Sequence, residues 1–263
     1  MSRVMTKPRK VLLIATAALL LGTAAHAGSQ TTLPPLAELI PKGNQGNAVA
    51  QFALGVKYYY GEGAPQDYAE AMKWYRKAAD QGEVRSQYNV GLMNEIGQSV
   101  PQDYAEAMKW YRKAADQGNV DGQIGVGAFY FDGHGVSQNY AEAMKWYRKA
   151  ADQGDSFAQL KVGVMYEKGQ SVPQDYAEAV RWYRKAADQG DTRAEFMVGF
   201  SYIRGKGVPT DFVQAHMWLS LVAASDGENQ QVAAQQRDAL ATMMSRAQIA
   251  EAERLTREWK PNK

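Results

Sequence analysis

The sequence of 263 residues contains no cysteine and only three histidines. The absence of cysteine excludes disulfides, thiolate chemistry and a lipid-modified cysteine. His134 and His216, the two histidines beyond the N-terminal segment, are far apart in sequence and show no recognised metal-ligand spacing. We therefore expect neither a metal nor another cofactor, and packing alone must hold the fold.

Motifs for catalysis are missing too. No serine is followed by a lysine three residues later and there is no Lys-Thr-Gly, so the acylation chemistry of a β-lactamase lacks its residues. The G-x-G pairs, such as Gly61 and Gly63, follow a predicted helix rather than a strand and lack a third glycine. They indicate turns rather than a phosphate loop. We predict that the chain is not an enzyme.

Long apolar runs are rare, and the one at the N-terminus, Val11 to Leu21, is shorter than the ~20 residues of a membrane span. A basic segment precedes it and Ala25-His26-Ala27 follows it, which predicts a signal peptide over residues 1–27, cleaved after Ala27, rather than a membrane anchor. We expect a periplasmic or secreted protein without stable membrane insertion. Cleavage changes the formal net charge from +2 to about −2, which argues against nucleic-acid binding.

Repetition is the dominant feature of the rest of the chain. The segment from Pro65 to Gly82 recurs unchanged at Pro101, with small changes at Ser137 and Pro173, and in diverged form from Pro209, always at a step of 36 residues. Such a period is the mark of a repeat protein in which each unit buries its apolar face on its neighbours.

Each copy of this segment predicts a helix. Asp67 can cap the N-terminus, Glu70 lies where a capping box requires it, and Gly82 can adopt the left-handed C-terminal conformation. Trp74 and Tyr75 lie on the apolar face, so the string Lys-Trp-Tyr-Arg-Lys indicates packing rather than a stacking platform for bases or sugars.

Another helix precedes this one in every copy and carries a central glycine, and we call these two the first and second helix of each repeat. A glycine within a helix costs ~1 kcal/mol, so its recurrence predicts a close approach of the neighbouring helix. The central glycines are Gly55, Gly91, Gly127, Gly163 and Gly199.

The pattern A-x-x-x-L-G-x-x-Y-x-x-G-x-G-[AV], followed by D-Y-x-x-A-x-x-W-Y-x-x-A-A-x-x-G, is complete from Ala50 to Gly82. It resembles the Sel-one-like repeat (SLR) family, which is related to the tetratricopeptide repeats, over about residues 48–227. The resemblance implies an all-α solenoid of antiparallel helix pairs in a right-handed superhelix, and a role as a scaffold or adaptor for other proteins. Four residues depart from the pattern: Asn94, Ser99, Gly122 and Ser171.

The period divides the chain into five helix-turn-helix repeats, residues 47–82, 83–118, 119–154, 155–190 and 191–227. In the fifth repeat Met217 and Leu221 stand where the first repeat has Lys73 and Lys77, so a C-terminal helical cap, residues 228–263, is predicted to cover them. Residues 28–46 are either a flexible linker or a partial N-terminal cap. A capping box is also predicted at Ser245 and Gln248.

The copies differ most on the first helix, at positions six before, two before, two after and five after the central glycine. These positions form a stripe about 80° wide at ~100° per residue. The candidate partner-binding residues on this stripe are Val49, Ala53, Lys57, Tyr60, Arg85, Asn89, Met93, Ile96, Asp121, Phe129, Asp132, Phe157, Lys161, Met165, Lys168, Arg193, Met197 and Arg204.

In the SLR resemblance the first helices line the concave surface, which implies that the stripe lies in a groove. The alternative is drift at unconstrained solvent positions, and exposure of Tyr60, Met93, Phe129 and Phe157 would favour the groove. The leading hypothesis is an exported adaptor that binds a protein or peptide there. The alternative is a module that binds cell-wall or other envelope polysaccharide, and a β-lactamase-like hydrolase is the remote third.

Overall fold

The computed structural model describes residues 33–262, so the predicted signal peptide lies outside the described residues. Residues 33–262 contain helices and no strand. The helices are α1 (Leu36–Asn44), α2 (Ala48–Tyr60), α3 (Tyr68–Asp80), α4 (Val84–Ile96), α5 (Tyr104–Asp116), α6 (Val120–Asp132), α7 (Tyr140–Asp152), α8 (Ser156–Lys168), α9 (Tyr176–Ala187), α10 (Thr192–Arg204), α11 (Phe212–Ala223), α12 (Gln230–Ala241) and α13 (Arg246–Glu258). None of these described helices has the length and hydropathy that crossing a bilayer requires.

The described residues form two compact units, residues 33–110 and 111–262, with the boundary inside α5. In the N-terminal unit, α1 packs on α2, α2 on α3 and α3 on α4. In the C-terminal unit, each helix from α6 to α10 packs on the next one, and both α12 and α13 pack on α11. Consecutive helix pairs therefore build an all-α solenoid, which confirms the predicted fold class. The hand of its superhelix stays a prediction.

The ends of the helices follow the sequence closely. Asp67 Oδ1 accepts hydrogen bonds of 2.9 Å from the N–H groups of Ala69 and Glu70, and Gly82 has φ +88°. The capping box predicted at Glu70 is wrong, because the Glu70 carboxylate accepts a 2.9 Å hydrogen bond from Lys73 Nζ instead. At Ser245 both bonds of the predicted capping box are present.

The aromatic residues of the second helices are core residues. Trp74 is 6% exposed and Tyr75 is 1% exposed, which confirms their predicted packing role. The tyrosine ring lies on the central glycine of the same repeat: a Cβ at Gly163 would be 2.6 Å from Cδ1 of Tyr183. At Gly55, Gly127 and Gly163 the close approach is therefore made by a tyrosine ring, and at Gly199 it is made by Leu219.

Buried glutamines tie consecutive repeats together, and we call each such pair of bonds a glutamine bridge. Gln159 Nε2 donates to the Ala151 carbonyl of the preceding repeat at 3.3 Å, and its Oε1 accepts from Gln189 Nε2 at 2.9 Å. Gln123 repeats both bonds, to Ala115 and Gln153. Each bridge satisfies polar groups that burial would otherwise leave without partners.

Both ends of the array are covered. In α1, Leu39 is 4% exposed and packs with Leu54 and Trp74, so residues 36–44 are a docked helix and not a flexible linker. At the other end, Leu255 and Trp259 pack in one cluster with Met217 and Leu221 of α11. The C-terminal helix α13 thus covers these residues, with Met217 buried and Leu221 half-buried.

Candidate functional site

The stripe proposed from sequence divides into buried and accessible positions. The position two residues after the glycine points into the core in the first four repeats, since Lys57 is 7%, Met93 1%, Phe129 1% and Met165 0% exposed. Met93 packs among the core residues of the preceding second helix, in the cluster of Tyr75. Met93 and Phe129 are therefore not exposed, so neither residue provides the exposure that would favour the groove.

Two residues before the glycine, burial depends on the repeat. Ala53 is 4% and Asn89 3% exposed, so neither offers a surface to a partner. Lys161 and Met197, at the same position of later repeats, are half-buried. Ala53, Asn89, Lys57, Met93, Phe129 and Met165 must therefore be removed from the set of direct contact residues.

The outer positions of the stripe are more accessible. Six before the glycine, Val49 and Arg193 are exposed, while Arg85, Asp121 and Phe157 are half-buried. Five after it, Tyr60 is half-buried and the other four residues are exposed, namely Ile96, Asp132, Lys168 and Arg204.

Around Phe157 the accessible residues form a basic and aromatic surface. Lys161 Nζ and the Arg193 guanidinium carbon each lie 5.2 Å from the centre of the Phe157 ring. These are cation–π distances, and they hold both cations over the ring.

A cavity lies where α10 packs on α9, and we call it the Ser201 pocket. Its volume is about 180 Å³. Residues of α9 and α10 form most of its lining, and Glu167 of α8 and Lys206 complete it. The lining residues are Glu167, Tyr176, Ala179, Val180, Tyr183, Phe196, Met197, Phe200, Ser201, Arg204 and Lys206.

The interior of the Ser201 pocket is apolar. Phe196 and Phe200 are neighbours along one side of α10, with ring centres 4.6 Å apart. Ser201 Oγ donates to the Met197 carbonyl at 2.8 Å, so the hydroxyl is satisfied within the helix and does not reach into the cavity as a free donor.

Charged residues stand at the rim of the Ser201 pocket. The Arg204 guanidinium carbon lies 5.1 Å from the Phe200 ring centre, and Lys206 Nζ is 3.3 Å from Tyr176 Oη. The Tyr183 hydroxyl donates a hydrogen bond to the Glu167 carboxylate. Burial and, secondly, this bond raise the pKa of Tyr183, so the phenol is neutral and does not act as a base.

Two of the lining residues, Met197 and Arg204, belong to the predicted stripe. The sequence reasoning missed the aromatic walls, Phe196, Phe200, Tyr176 and Tyr183, and the second cation, Lys206. One signal was available. At the position two after the glycine, Ser201 is the only small residue, where the other repeats have lysine, methionine or phenylalanine.

The described residues offer little for metal chemistry. Within residues 33–262 no group of three or more His, Asp or Glu side chains is arranged to hold a metal ion. His216 is 6% exposed in α11, and burial followed by the charge of Arg237 lowers its pKa. The G-x-G pairs form turns with positive φ, at +74° for Gly61 and +84° for Gly63.

The helix pairs, the recurring glycines and the terminal helices define the class of helical solenoids. The Sel1 repeat model matches residues 48–83, 84–119, 120–155, 156–191 and 192–226. The chain belongs to the Sel1 repeat family.

Solved structures agree with this assignment. A Sel1 repeat protein from Oxalobacter formigenes is 34% identical, with a TM-score of 0.71 over 75% of this chain and 82% of that chain. A protective antigen with an SLR fold, present in uropathogenic Escherichia coli, is 28% identical, with a TM-score of 0.54 over 84% of this chain and 55% of that chain. Among curated proteins no significant match is found. Proteins of this family generally mediate protein–protein interactions.

Proposed function

We propose that this chain is an exported, non-catalytic scaffold that binds a protein or peptide partner on its first helices. The observation that carries the proposal is the surface of α8 and α10. There three residues of the Ser201 pocket and the cations around Phe157 occupy the register positions at which the repeats differ. Aromatic rings beside arginine are typical of residues that dominate binding energy at protein interfaces.

Export is part of this proposal and is supported by the sequence of residues 1–27. A mature chain with a net charge of about −2 and no cysteine is compatible with the periplasm or the medium. No cofactor is needed, because binding by a solenoid surface uses side-chain contacts alone.

The polysaccharide alternative has weaker support. Sugar rings stack on exposed aromatic side chains, whereas the tryptophans of the second helices are buried: Trp74, Trp110 and Trp182 are each 6% exposed, and Trp146 is 1% exposed. Their faces are also occupied, as Lys77 Nζ lies 4.1 Å from the Trp74 ring centre.

Site-specific photocrosslinking in the native host tests the proposal. A benzophenone amino acid is placed at Lys168 or Arg193 on the first helices and, as matched controls, at Lys145 or Arg181, which are exposed on the second helices. We expect discrete protein adducts from the first-helix positions and several-fold fewer from the controls. Equal yields at all four positions would refute the assignment. Binding to purified cell wall without any protein adduct would favour the polysaccharide alternative.

A further inference from the structure

The Ser201 pocket has a counterpart three repeats earlier, at the same register positions but with a different volume. Glu167, Tyr183, Met197, Phe200 and Ser201 each lie three repeats after a residue of a second cavity, which is lined by Tyr59, Tyr75, Asn89, Leu92 and Met93. That cavity leaves no room for a water molecule, whereas the Ser201 pocket has about 180 Å³.

The residue two after the glycine explains the difference. Met93 is 1% exposed and packs beside Tyr75 of the preceding second helix, and Met165 is 0% exposed at the same position of the fourth repeat. The Ser201 side chain has two heavy atoms fewer than methionine, and its hydroxyl is hydrogen-bonded to its own helix. The same register positions therefore surround both sites, but the smaller side chain of Ser201 leaves an apolar recess between them.

The size of the recess limits its occupant. An apolar cavity of about 150 Å³ accommodates benzene, so about 180 Å³ fits one aromatic ring or one branched aliphatic side chain. A sugar ring would bury its hydroxyls against Phe196, Phe200 and Val180 without hydrogen-bond partners. An apolar side chain has no such cost.

The rim adds a preference for negative charge. Within residues 33–262 neither Arg204 nor Lys206 forms an ion pair with a carboxylate, and both are exposed. The Glu167 carboxylate, by contrast, accepts the hydrogen bond of Tyr183. Two unpaired cations beside an apolar recess are complementary to an apolar residue that has an acidic neighbour.

We propose that the Ser201 pocket receives one aromatic or branched aliphatic side chain of a partner protein, while Arg204 and Lys206 bind a carboxylate next to it in the partner's chain. This proposal rests on the proposed function, because it assigns the contact chemistry of the same partner surface. Ser201 is the residue that creates the site, since Met93 at this position of the second repeat leaves no room for a water molecule.

The test uses the mature protein and three acetylated, amidated peptides of sequence Gly-Glu-Phe-Glu-Gly, Gly-Gln-Phe-Gln-Gly and Gly-Glu-Ala-Glu-Gly. Amide shifts in two-dimensional NMR report weak binding residue by residue. We expect saturable shifts centred on Phe200, Ser201 and Arg204 with the first peptide. The alanine peptide should bind at least about tenfold more weakly because it lacks the buried ring. The glutamine peptide should bind a few-fold more weakly at low salt.

Matched variants separate the pocket from its surroundings. Ser201→Met should abolish the shifts and Ser201→Ala should retain them. Arg204→Glu should weaken the Glu-containing peptide, while Lys168→Glu, the same charge change beside the filled position of Met165, should not. Unchanged shifts in Ser201→Met, or equal binding of the alanine peptide, would overturn the proposal. If peptide binding fails but photocrosslinks at Arg193 persist in Ser201→Met, the pocket is rejected and the scaffold function stands.

Discussion

Glu195 makes the stability of this protein depend on pH. It occupies the position of the bridging glutamines Gln123 and Gln159, but an ionised carboxylate cannot donate to a carbonyl as an amide does. Glu195 is 3% exposed, and its carboxyl group has no hydrogen bond within the described residues. Burial and, secondly, the charge of Asp191 raise the pKa of Glu195 from 4.5 to about 7.

The direction of the effect follows from proton binding. Below about pH 4.5 the carboxyl is protonated in the folded and the unfolded chain, and its contribution to stability is fully present. Between pH 4.5 and about 7 only the folded chain holds the proton, so stability falls as the pH rises and the contribution is lost above 7. At ~1.36 kcal/mol per pKa unit the upper limit is about 3.4 kcal/mol. Relaxation of the surroundings and water penetration around the carboxylate lower the expected loss to ~1–2 kcal/mol.

Glu195→Gln tests this reasoning, because the amide can donate to the Ala187 carbonyl, which corresponds in register to Ala151. Urea unfolding of the mature chain between pH 5 and 9 should show the variant ~1–2 kcal/mol more stable than wild type at pH 8 and nearly equal at pH 5. As a matched control, Gln159→Glu should acquire the same pH dependence in the fourth repeat. Parallel stability curves for wild type and Glu195→Gln would refute the account.

Three further predictions concern the turns, the central glycines and the N-terminus. Ser99 and Ser171 have φ of +65° and +68°, so replacing either with glycine should raise the free energy of unfolding by ~0.5–1 kcal/mol, measured by urea titration; a decrease would contradict the strain. Gly163→Ala places a Cβ 2.6 Å from the Tyr183 ring and should destabilise the chain by ~1–3 kcal/mol in the same assay, with no change expected if the ring shifts freely. The exported protein should begin at Gly28 by intact mass, whereas an uncleaved chain would support a membrane anchor.

Features that recur in every repeat could be predicted from the sequence. Asp67 caps its helix and Trp74 is buried because each depends on local spacing and on a neighbour of known identity. The C-terminal cap could also be predicted. Leu221 is apolar where the earlier repeats have lysine, so another segment must pack on it, and Leu255 is part of that segment. In these cases one local rule and one neighbouring repeat determine the environment.

Variation between copies was a poorer guide to exposure. Met93, Phe129 and Met165 differ from one another, and this variation predicted a surface, yet all three are at most 1% exposed. Packed cores tolerate exchanges between large apolar side chains when the volume is kept. An exchange between two large apolar residues therefore does not indicate that the position is exposed to solvent. A change in side-chain volume is more informative.

Ser201 is the one residue at this position whose side chain is much smaller than those of the other repeats, and the Ser201 pocket lies beside it. A solenoid can gain a binding site in this way because the walls of the recess come from two neighbouring helices that pack on each other elsewhere along their length. The loss of one side chain then opens a cavity without removing the contacts that hold the repeat. For this chain, side-chain volume at a single register position is a better indicator of the Ser201 pocket than sequence variation along the whole stripe.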